Sequence, residues 1–404
     1  MRILAVSQYY WPEPFNVSDI CEELVSRGHE VTVLTGLPNY PEGELYPGYE
    51  HGKLREQERN GVKIVRSWLW PRKRGAVNRF LNYETFSWSA TNRSKKLKGD
   101  FDIVLSFEIS PIMSANPALT YARRRGIPCL LYVIDIWPEC LLAGGITRES
   151  PIFRHYAKVS AKIYRSADRL AVTSPLFIDY ISNLVGKRLE ACYLPQFAED
   201  IFEQSGCVAP DGYPAGVANL TFAGNVGAAQ SVDTIIRAAA LLPQDKVLFH
   251  VVGSGSELDS CKRLAADLNV QNVVFHGRKP LEEMPNYYSA SDAMLATFSD
   301  NPVLGYTLPR KIQSYLAAGK PVLGTLVGES RRVIEEAGCG ICCKASDYNG
   351  LAHGVSKFIA MSDVERRNLG INARNYYTSH FSRSAFFKGL EHQLDVLKGR
   401  GHVR

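Results

Sequence analysis

Two adjacent cations at the predicted start of a helix are the first residues whose spacing points to chemistry. Pro309 is followed directly by Arg310 and Lys311. Proline suits the first position of a helix, but cations in a first turn oppose the helix dipole. An anion bound above the turn would contact both the cations and the free N–H groups, and Ser314, one turn later, would face the same anion. The alternative is a pair of solvated charges.

A glycine-containing turn is the second candidate. Gly224 and Gly227 follow an apolar strand, and a helix is predicted to open near Ser231. Glycines let the backbone approach a ligand closely, and a helix N-terminus offers free N–H groups to an anion. The pattern suits a diphosphate, although an ordinary strand-to-helix turn would need the same glycines.

The third candidate is an acidic residue at the end of a predicted strand. Asp135 comes directly after an apolar run, Trp137 and Pro138 stiffen the turn, and Glu139 follows. An aspartate in this position can accept a substrate proton or orient a sugar hydroxyl. It can also cap a helix, and the two roles can coexist.

Other classes of site have little support. Gly253 and Gly255 form part of a dinucleotide fingerprint without its third glycine, and no phosphate loop ends in Gly-Lys-Ser/Thr. The nine cysteines are an odd, scattered set, which indicates free thiols. Cys339, Cys342 and Cys343 lack further ligands at zinc spacing, so they are predicted to lie buried in a strand. No metal and no cofactor are expected.

Alternating strand and helix patterns must position these residues. The 404 residues predict an α/β protein with two doubly wound, Rossmann-like domains facing each other across a cleft, where ligands bind beyond the carboxyl ends of the strands. The predicted parts are an N-terminal domain at 1–196, a linker at 197–216, a C-terminal domain at 217–380, and a terminal helix at 381–404 that packs back on the first domain.

The positive charge is concentrated in one segment. The chain has a net charge of +6, but residues 63–98 hold ten basic residues and one acid, so the remainder sums to −3. Trp68, Trp70 and Trp88 lie in the same segment, with Phe80 and Phe86. Basic and aromatic residues together favour an anionic membrane surface. A solvated basic face is the main alternative, and nucleic acid is not expected as a partner.

Several motifs resemble those of one enzyme family. In order and spacing the chain is similar, over essentially its whole length, to retaining family-4 glycosyltransferases of the GT-B fold. Asp135–Glu139 and Leu308–Tyr315 resemble a branch that builds bacterial surface polysaccharides such as capsule and O-antigen, including transferases of amino sugars and deoxy sugars. The family motifs are Gln8-Tyr9-Tyr10, Arg27-Gly28-His29-Glu30, Ala223-Gly224-Asn225, Phe275-His276-Gly277-Arg278 and Ala317-Ala318-Gly319-Lys320-Pro321.

The resemblance implies a nucleotide-sugar donor, with UDP as the expected nucleotide, bound mainly to the second domain. Asn225 and Gln230 stand where the commoner family pattern has a Gly-Arg pair and a lysine, and Tyr306 and Ser314 stand where it has two glutamates. Arg310 and Lys311 are therefore expected to neutralise the diphosphate. The expected donor-binding set is Gly224, Asn225, Gln230, Gly277, Arg278, Tyr306, Thr307, Leu308, Pro309, Arg310, Lys311, Ser314 and Glu329.

The resemblance also implies how transfer proceeds. The acceptor, a lipid-linked saccharide, is expected over the first domain at Tyr9, Phe15, Asn16, Asp135 and Trp137. The catalytic set is Asp135, Glu139 and Lys311. A hexose, N-acetylhexosamine or deoxy-amino sugar would move with retained configuration and without a metal, the leaving diphosphate helping to deprotonate the acceptor.

The sequence also predicts a cellular location and leaves two alternative functions open. No signal peptide or spanning segment is visible in the sequence, so a cytoplasmic protein held on the inner face of the membrane by residues 63–98 is expected. The same fold could instead serve a UDP-sugar epimerase, which would want carboxylate and histidine acid–base pairs. A non-catalytic sugar-binding protein is the other alternative.

Overall fold

Two compact units make up the chain. The computed structural model describes residues 1–204 and 208–400; residues 205–207 of the predicted linker and 401–404 of the predicted terminal helix lie outside the described part. One unit comprises residues 1–194 and the described residues from Gly389 onward, and the other spans Pro195–Lys388. The segment predicted as a linker therefore groups with the second unit.

An eight-stranded sheet forms the centre of the first unit, within the described residues, in the order β3-β4-β2-β1-β5-β6-β7-β8. All neighbouring strands are parallel except β3 and β4. Apolar runs such as that of β6 are buried on both faces, as expected of a parallel sheet covered by helices. The strands are β1 (Arg2–Val6), β2 (Glu30–Gly36), β3 (Glu56–Arg59), β4 (Val62–Ser67), β5 (Ile103–Glu108), β6 (Cys129–Val133), β7 (Arg169–Val172) and β8 (Ala191–Tyr193).

The helices of this unit connect the parallel strands. A short 3₁₀ turn at Ile112–Ala115 leads directly into α3 (Asn116–Arg125), which has Pro117 in its first turn. The helices are α1 (Val17–Ser26), α2 (Ala76–Lys96), α3 (Asn116–Arg125), α4 (Pro151–Ser166) and α5 (Leu176–Val185).

The second unit holds a six-stranded parallel sheet in its described residues, in the order β11-β10-β9-β12-β13-β14. This is the doubly wound order, which reverses direction beside β9. The strands are β9 (Ala218–Ala223), β10 (Val247–Val252), β11 (Val273–Gly277), β12 (Ala293–Thr297), β13 (Val322–Thr325) and β14 (Gly340–Cys343). The two sheets confirm the predicted fold class of two Rossmann-like domains.

Nine helices complete the described part of the second unit and the end of the chain. Helix α14 continues into the first unit, where Glu391 pairs with Arg27 and His29, and Lys398 pairs with Asp102. The helices are α6 (Val232–Ala239), α7 (Leu258–Asp267), α8 (Met284–Ala290), α9 (Pro302–Tyr306), α10 (Arg310–Ala317), α11 (Gly328–Ala337), α12 (Tyr348–Ile359), α13 (Asp363–His380) and α14 (Arg383–Arg400).

Two local predictions change. Pro309 was expected as the first helical residue, but it is extended, with ψ 138°, and its carbonyl accepts the N–H of Ile312, so it is the N-cap residue before α10. Cys339 is buried just before β14, whereas Cys342 and Cys343, predicted to be buried, lie in this edge strand and are half-buried. The cysteines of the described residues are free thiols.

Candidate functional site

A cavity of about 480 Å³ opens at the carboxyl ends of β9, β10 and β11 in the second unit. This is the edge of a doubly wound sheet at which ligands bind. Among the described lining residues, four cations, Arg278, Lys279, Arg310 and Lys311, stand against one carboxylate, Glu199. The cavity therefore suits a polyanionic ligand. The predicted donor-binding residues that line it are Gly224, Asn225, Arg278, Arg310, Lys311 and Ser314.

Glycines allow the loops of this cavity to approach one another. Gly224 has φ +141° and Gly253 has φ +153°, a backbone region that side chains disfavour. A Cβ on Gly253 would lie 1.8 Å from the carbonyl oxygen of Gly224. The Gly253 N–H donates to the carbonyl of Gly277, 2.8 Å away. The predicted residue Gly277 thus supports the cavity floor, and the pair Gly253–Gly255, discounted as a dinucleotide fingerprint, is required by this packing.

Among the cations that line the cavity, Lys311 has the most strongly shifted pKa. Its Nζ donates a hydrogen bond to Oε1 of Gln230 and lies 4.3 Å from the centre of the Phe222 ring. Burial lowers the pKa of its ammonium group to about 7, because desolvation penalises the charged form. Gln230, outside the lining, orients this lysine. The neutral amine of Lys311 is therefore placed to gain a proton when an anion enters.

Other predicted donor residues have different neighbours. Arg310 pairs with Glu199 at 2.7 Å, and the Ser314 hydroxyl donates to the Arg310 carbonyl. Glu329 is buried and ion-paired with Arg332 at 2.7 Å. The predicted residues that do not line the cavity are Gln230, Gly277, Tyr306, Thr307, Leu308, Pro309 and Glu329.

In the first unit, Asp135 lies beside a second acid that the sequence analysis did not single out. Glu108 ends β5, the neighbour of β6, and its backbone carbonyl accepts the Asp135 N–H. Glu108 is buried, and neither carboxylate oxygen has a hydrogen-bond partner within the described part of the chain. Burial, followed by the charge of Asp135, raises the pKa of Glu108 well above its ordinary value. Burial also raises the pKa of Asp135, which the Ser110 hydroxyl partly offsets by hydrogen bonding.

The two predicted residues after Asp135 are held by the protein itself. Trp137 is buried, its indole N–H donating to the Ser110 hydroxyl at 2.8 Å. Glu139 is 1% exposed, and its carboxylate accepts from Arg148 and from the Tyr180 hydroxyl, both at 2.7 Å. This pairing gives Glu139 a structural role, and its catalytic role stays a prediction.

Glu108→Gln is expected to flatten the dependence of stability on pH. A carboxyl group whose native pKa is raised binds more protons in the native than in the unfolded state, so its contribution to stability falls as pH rises above the unfolded pKa of about 4.5. The neutral amide removes that loss. Melting temperatures between pH 5 and pH 8 should therefore decline less steeply in the variant, and parallel curves would contradict a protonated Glu108.

The predicted acceptor residues Tyr9, Phe15 and Asn16 lie together. The rings of Tyr9 and Phe15 stack with their centres 4.5 Å apart, and Tyr40 packs 5.1 Å from Phe15. Phe15 and Tyr40 are half-buried, and Tyr9 is buried. The arrangement forms an aromatic surface at the beginning of α1.

A buried polar network holds this surface in place. One oxygen of Glu13 accepts the backbone N–H groups of Asn39 and Tyr40, both at 2.8 Å. The Asn39 side chain in turn accepts from Asn82 and from the backbone of Arg72. Burial raises the pKa of Glu13 to about 7, opposed by these backbone hydrogen bonds. This network could not be predicted from the sequence, since its members are distant along the chain.

The basic segment divides into different environments. Val77, Phe80 and Trp88 on α2 are 73%, 50% and 67% exposed, and Trp68 and Trp70 before it are also exposed. Glu84, the one acidic residue of this segment, accepts a hydrogen bond from Tyr156. Arg66, counted among the surface charges, is fully buried; its guanidinium donates to the carbonyls of Gly36 and Trp11.

Neither a metal-binding cluster nor a membrane-spanning helix occurs among the residues that the structure describes. No group of three or more His, Cys, Asp and Glu residues there is arranged to hold a metal ion. No helix there has the length and apolar character needed to cross a membrane.

Comparison with known proteins identifies similar domains in both units. Residues 214–376 match the family model of glycosyl transferases group 1, and residues 16–196 match the glycosyl transferase 4-like domain. The chain is 28% identical over 309 residues to the probable glycosyltransferase WbjE of Pseudomonas aeruginosa, covering 74% of this chain and 75% of WbjE. It is 21% identical over 384 residues to the putative colanic acid biosynthesis glycosyl transferase WcaI of Escherichia coli (strain K12), covering 89% of this chain and 93% of WcaI.

A solved structure shows the same fold. Anabaena Alr3699/HepE, in complex with UDP and glucose, superposes with a TM-score of 0.68 at 15% identity, covering 98% of this chain and 99% of HepE.

Proposed function

The chain belongs to the family-4 glycosyltransferases of the GT-B fold, and we propose that it transfers a sugar from a UDP-sugar to a lipid-linked saccharide. The sugar is a hexose, an N-acetylhexosamine or a deoxy-amino sugar, and the product is a surface polysaccharide such as capsule or O-antigen. The similarity to the probable glycosyltransferase WbjE supports glycosyl transfer, and the similarity to WcaI, a putative colanic acid biosynthesis glycosyl transferase, supports a role in polysaccharide synthesis. The UDP complex of HepE supports the choice of nucleotide.

The cationic cavity of the second unit is the single observation that carries this proposal. A nucleoside diphosphate needs close backbone approach and compensation of its negative charge. The Gly224 and Gly253 loops provide the approach, and Arg278, Lys279 and Lys311 provide the charge. Because these groups can neutralise a leaving diphosphate, we propose transfer without a metal ion.

Retention follows from the chemistry proposed at the leaving group. The bond between the anomeric carbon and the diphosphate oxygen breaks, and the acceptor oxygen attacks the same face of the sugar. The acceptor proton passes to the departing diphosphate oxygen, so that charge and atoms balance. Lys311 stabilises the negative charge that develops there. Asp135 orients the acceptor hydroxyl, while Tyr9, Phe15 and Asn16 provide the surface for its saccharide.

Acceptor-dependent release of nucleotide is the test of this function. The purified chain is incubated with UDP-, GDP- and dTDP-sugars, with and without a membrane lipid extract that supplies lipid-linked saccharides. The proposal predicts UDP release only when both a UDP-sugar and the extract are present. Interconversion of UDP-sugars without an acceptor would indicate an epimerase, and binding of a sugar without turnover would indicate a binding protein.

Peripheral attachment to an anionic membrane is a second proposal, supported by the exposed aromatic side chains. Trp68, Trp70, Val77, Phe80 and Trp88 form apolar surface beside exposed basic residues. Aromatic rings partition into the headgroup region, and nearby cations are attracted by anionic lipids.

Removing the cations beside this surface should weaken vesicle binding. Lys73→Gln with Arg74→Gln removes two exposed charges, each worth about 1 kcal/mol at an anionic surface, so affinity should fall roughly thirtyfold. Sedimentation with phosphatidylglycerol vesicles measures the effect. Ile152→Ser is the control. It removes an apolar side chain that lies elsewhere in the unit and is about as exposed as Phe80. Equal binding by all three proteins would contradict membrane attachment.

A further inference from the structure

One arginine of the basic segment is held by aromatic rings rather than by an acid. An Nη of Arg72 donates to the Tyr9 hydroxyl at 3.3 Å, and the guanidinium carbon lies 5.4 Å from the centre of the Tyr40 ring and 5.6 Å from that of Tyr83. Its backbone N–H is fixed by the Asn39 side chain at 2.8 Å. The guanidinium is therefore ordered and half-buried.

Among the residues that the structure describes, this guanidinium has no anionic partner. Across residues 1–204 and 208–400, no carboxylate lies within ion-pair distance of Arg72. Its exposed neighbour Lys73 does approach one, Glu44, at 3.8 Å, and Arg93 in the same segment pairs with Glu56 at 2.8 Å. A guanidinium fixed in place without a counter-charge is suited to an anion supplied by a ligand.

The surroundings of Arg72 suit a sugar next to that anion. Tyr9, which contacts Arg72, stacks on Phe15, and Phe15 packs against Tyr40. The half-buried rings of Phe15 and Tyr40 offer apolar faces on which the C–H groups of a pyranose can pack. Asn16 adds an amide Nδ2 that is buried without a hydrogen-bond partner within the described residues. Cation, apolar face and polar donor thus occur in one small region.

We propose that Arg72 binds a phosphate attached to a sugar of the acceptor, and that the sugar packs on Phe15 and Tyr40. This inference rests on the proposed function, for which it identifies the chemical class of the acceptor as a phosphorylated saccharide. The planar fork of the guanidinium makes two parallel hydrogen bonds to phosphate oxygens. Arg72 is thereby a specificity residue, distinct from the exposed Lys73 and Arg74 that belong to the proposed membrane surface.

Binding of glucose 1-phosphate to the full chain tests the proposal. Isothermal titration is carried out with saturating UDP, which fills the cationic cavity of the second unit. Arg72→Gln should weaken binding about tenfold or more, since one charge-assisted bidentate contact is lost. Arg72→Lys, which keeps the charge but not the fork, should lose part of that affinity. The matched control Lys73→Gln should bind as the wild type does.

Inorganic phosphate lacks the sugar and glucose lacks the phosphate, so these two probes separate the contributions of sugar and phosphate to binding. Phe15→Leu should weaken the binding of glucose 1-phosphate but not that of inorganic phosphate, because only glucose 1-phosphate has a sugar ring that packs on Phe15. Glucose should bind weakly and independently of Arg72. Equal effects of Arg72→Gln and Lys73→Gln, or equal affinities for glucose and glucose 1-phosphate, would overturn the proposal.

Two further arms identify the source of the phosphate and isolate the proposed function. Competition by farnesyl diphosphate that is stronger than competition by inorganic diphosphate would place the phosphate in the lipid linker, and equal competition by the two would place it on the saccharide. Failure of UDP to bind, together with binding of glucose 1-phosphate that depends on Arg72, would refute the proposed function and retain the phosphate site.

Discussion

Replacement of Lys311 by methionine is expected to weaken the binding of UDP about tenfold to a hundredfold and to remove a proton uptake that accompanies binding. The loss corresponds to one charge-assisted hydrogen bond of roughly 1.5–3 kcal/mol. The free ammonium group has its pKa lowered to about 7 by burial. A diphosphate favours the charged form, so wild-type protein should take up a proton on binding at pH 8. UDP affinity should correspondingly fall as pH rises above about 7.

Calorimetry of UDP binding in buffers of different ionisation enthalpy measures both effects. Lys279→Met, which changes a second lysine of the same cavity, should preserve the proton uptake. The sign of the stability change provides a further check. A lysine with a lowered native pKa destabilises the native state where it must be charged, so Lys311→Met should raise the melting temperature of free protein at pH 6. Unchanged proton uptake in Lys311→Met would contradict the proposed role of this residue.

Asp135→Asn is expected to lower the rate of sugar transfer by about a hundredfold to ten-thousandfold, the usual range for loss of a group that handles a proton or orients a reacting hydroxyl. The amide keeps the size of the side chain and removes its charge. UDP affinity should remain unchanged, because Asp135 belongs to the first unit and the cationic cavity to the second. Rates of UDP release with saturating donor and acceptor measure the effect.

The matched control is an aspartate at the amino-terminal ends of the strands of the same sheet. The Asp168 carboxylate accepts the backbone N–H of Cys129 where β6 begins, and Asp168→Asn should leave the rate of transfer close to that of wild type. A similar loss of rate in both variants would refute a direct role for Asp135. Loss of UDP affinity in Asp135→Asn would refute the assignment of donor and acceptor roles to different units.

The fold could be predicted because the buried parallel strands have distinctive sequences. Cys129–Val133 is a continuous apolar run, and the run Val247–Val252 is interrupted only by His250. Strand β3 was missed because its sequence, Glu-Gln-Glu-Arg, is entirely polar. It is an antiparallel edge strand with alternating exposure, so it needs no apolar pattern. Pairing with β4 rather than local hydrophobicity determines its conformation.

The candidate site was predictable only where one short segment carries it. Lys311 and Gly224 could be identified from cations and glycines at the start of helices. Glu108 could not, because its importance comes from Asp135, which a separate strand brings next to it. Arg72 was counted as surface charge for the same reason, since its aromatic neighbours are distant in sequence. Such contacts depend on tertiary packing, which local spacing does not encode.

Photoaffinity labelling with 5-azido-UDP-glucose tests whether the donor binds in the cationic cavity of the second unit, because it locates the bound donor on the full chain. Labelled peptides are identified by mass spectrometry, with excess UDP as the competitor. We expect saturable labelling of the loops that line the cavity of the second unit, at Gly224–Asn225, Gly253–Ser254 and Arg310–Ser314. Labelling confined to the first unit, or labelling that UDP does not reduce, would contradict this expectation.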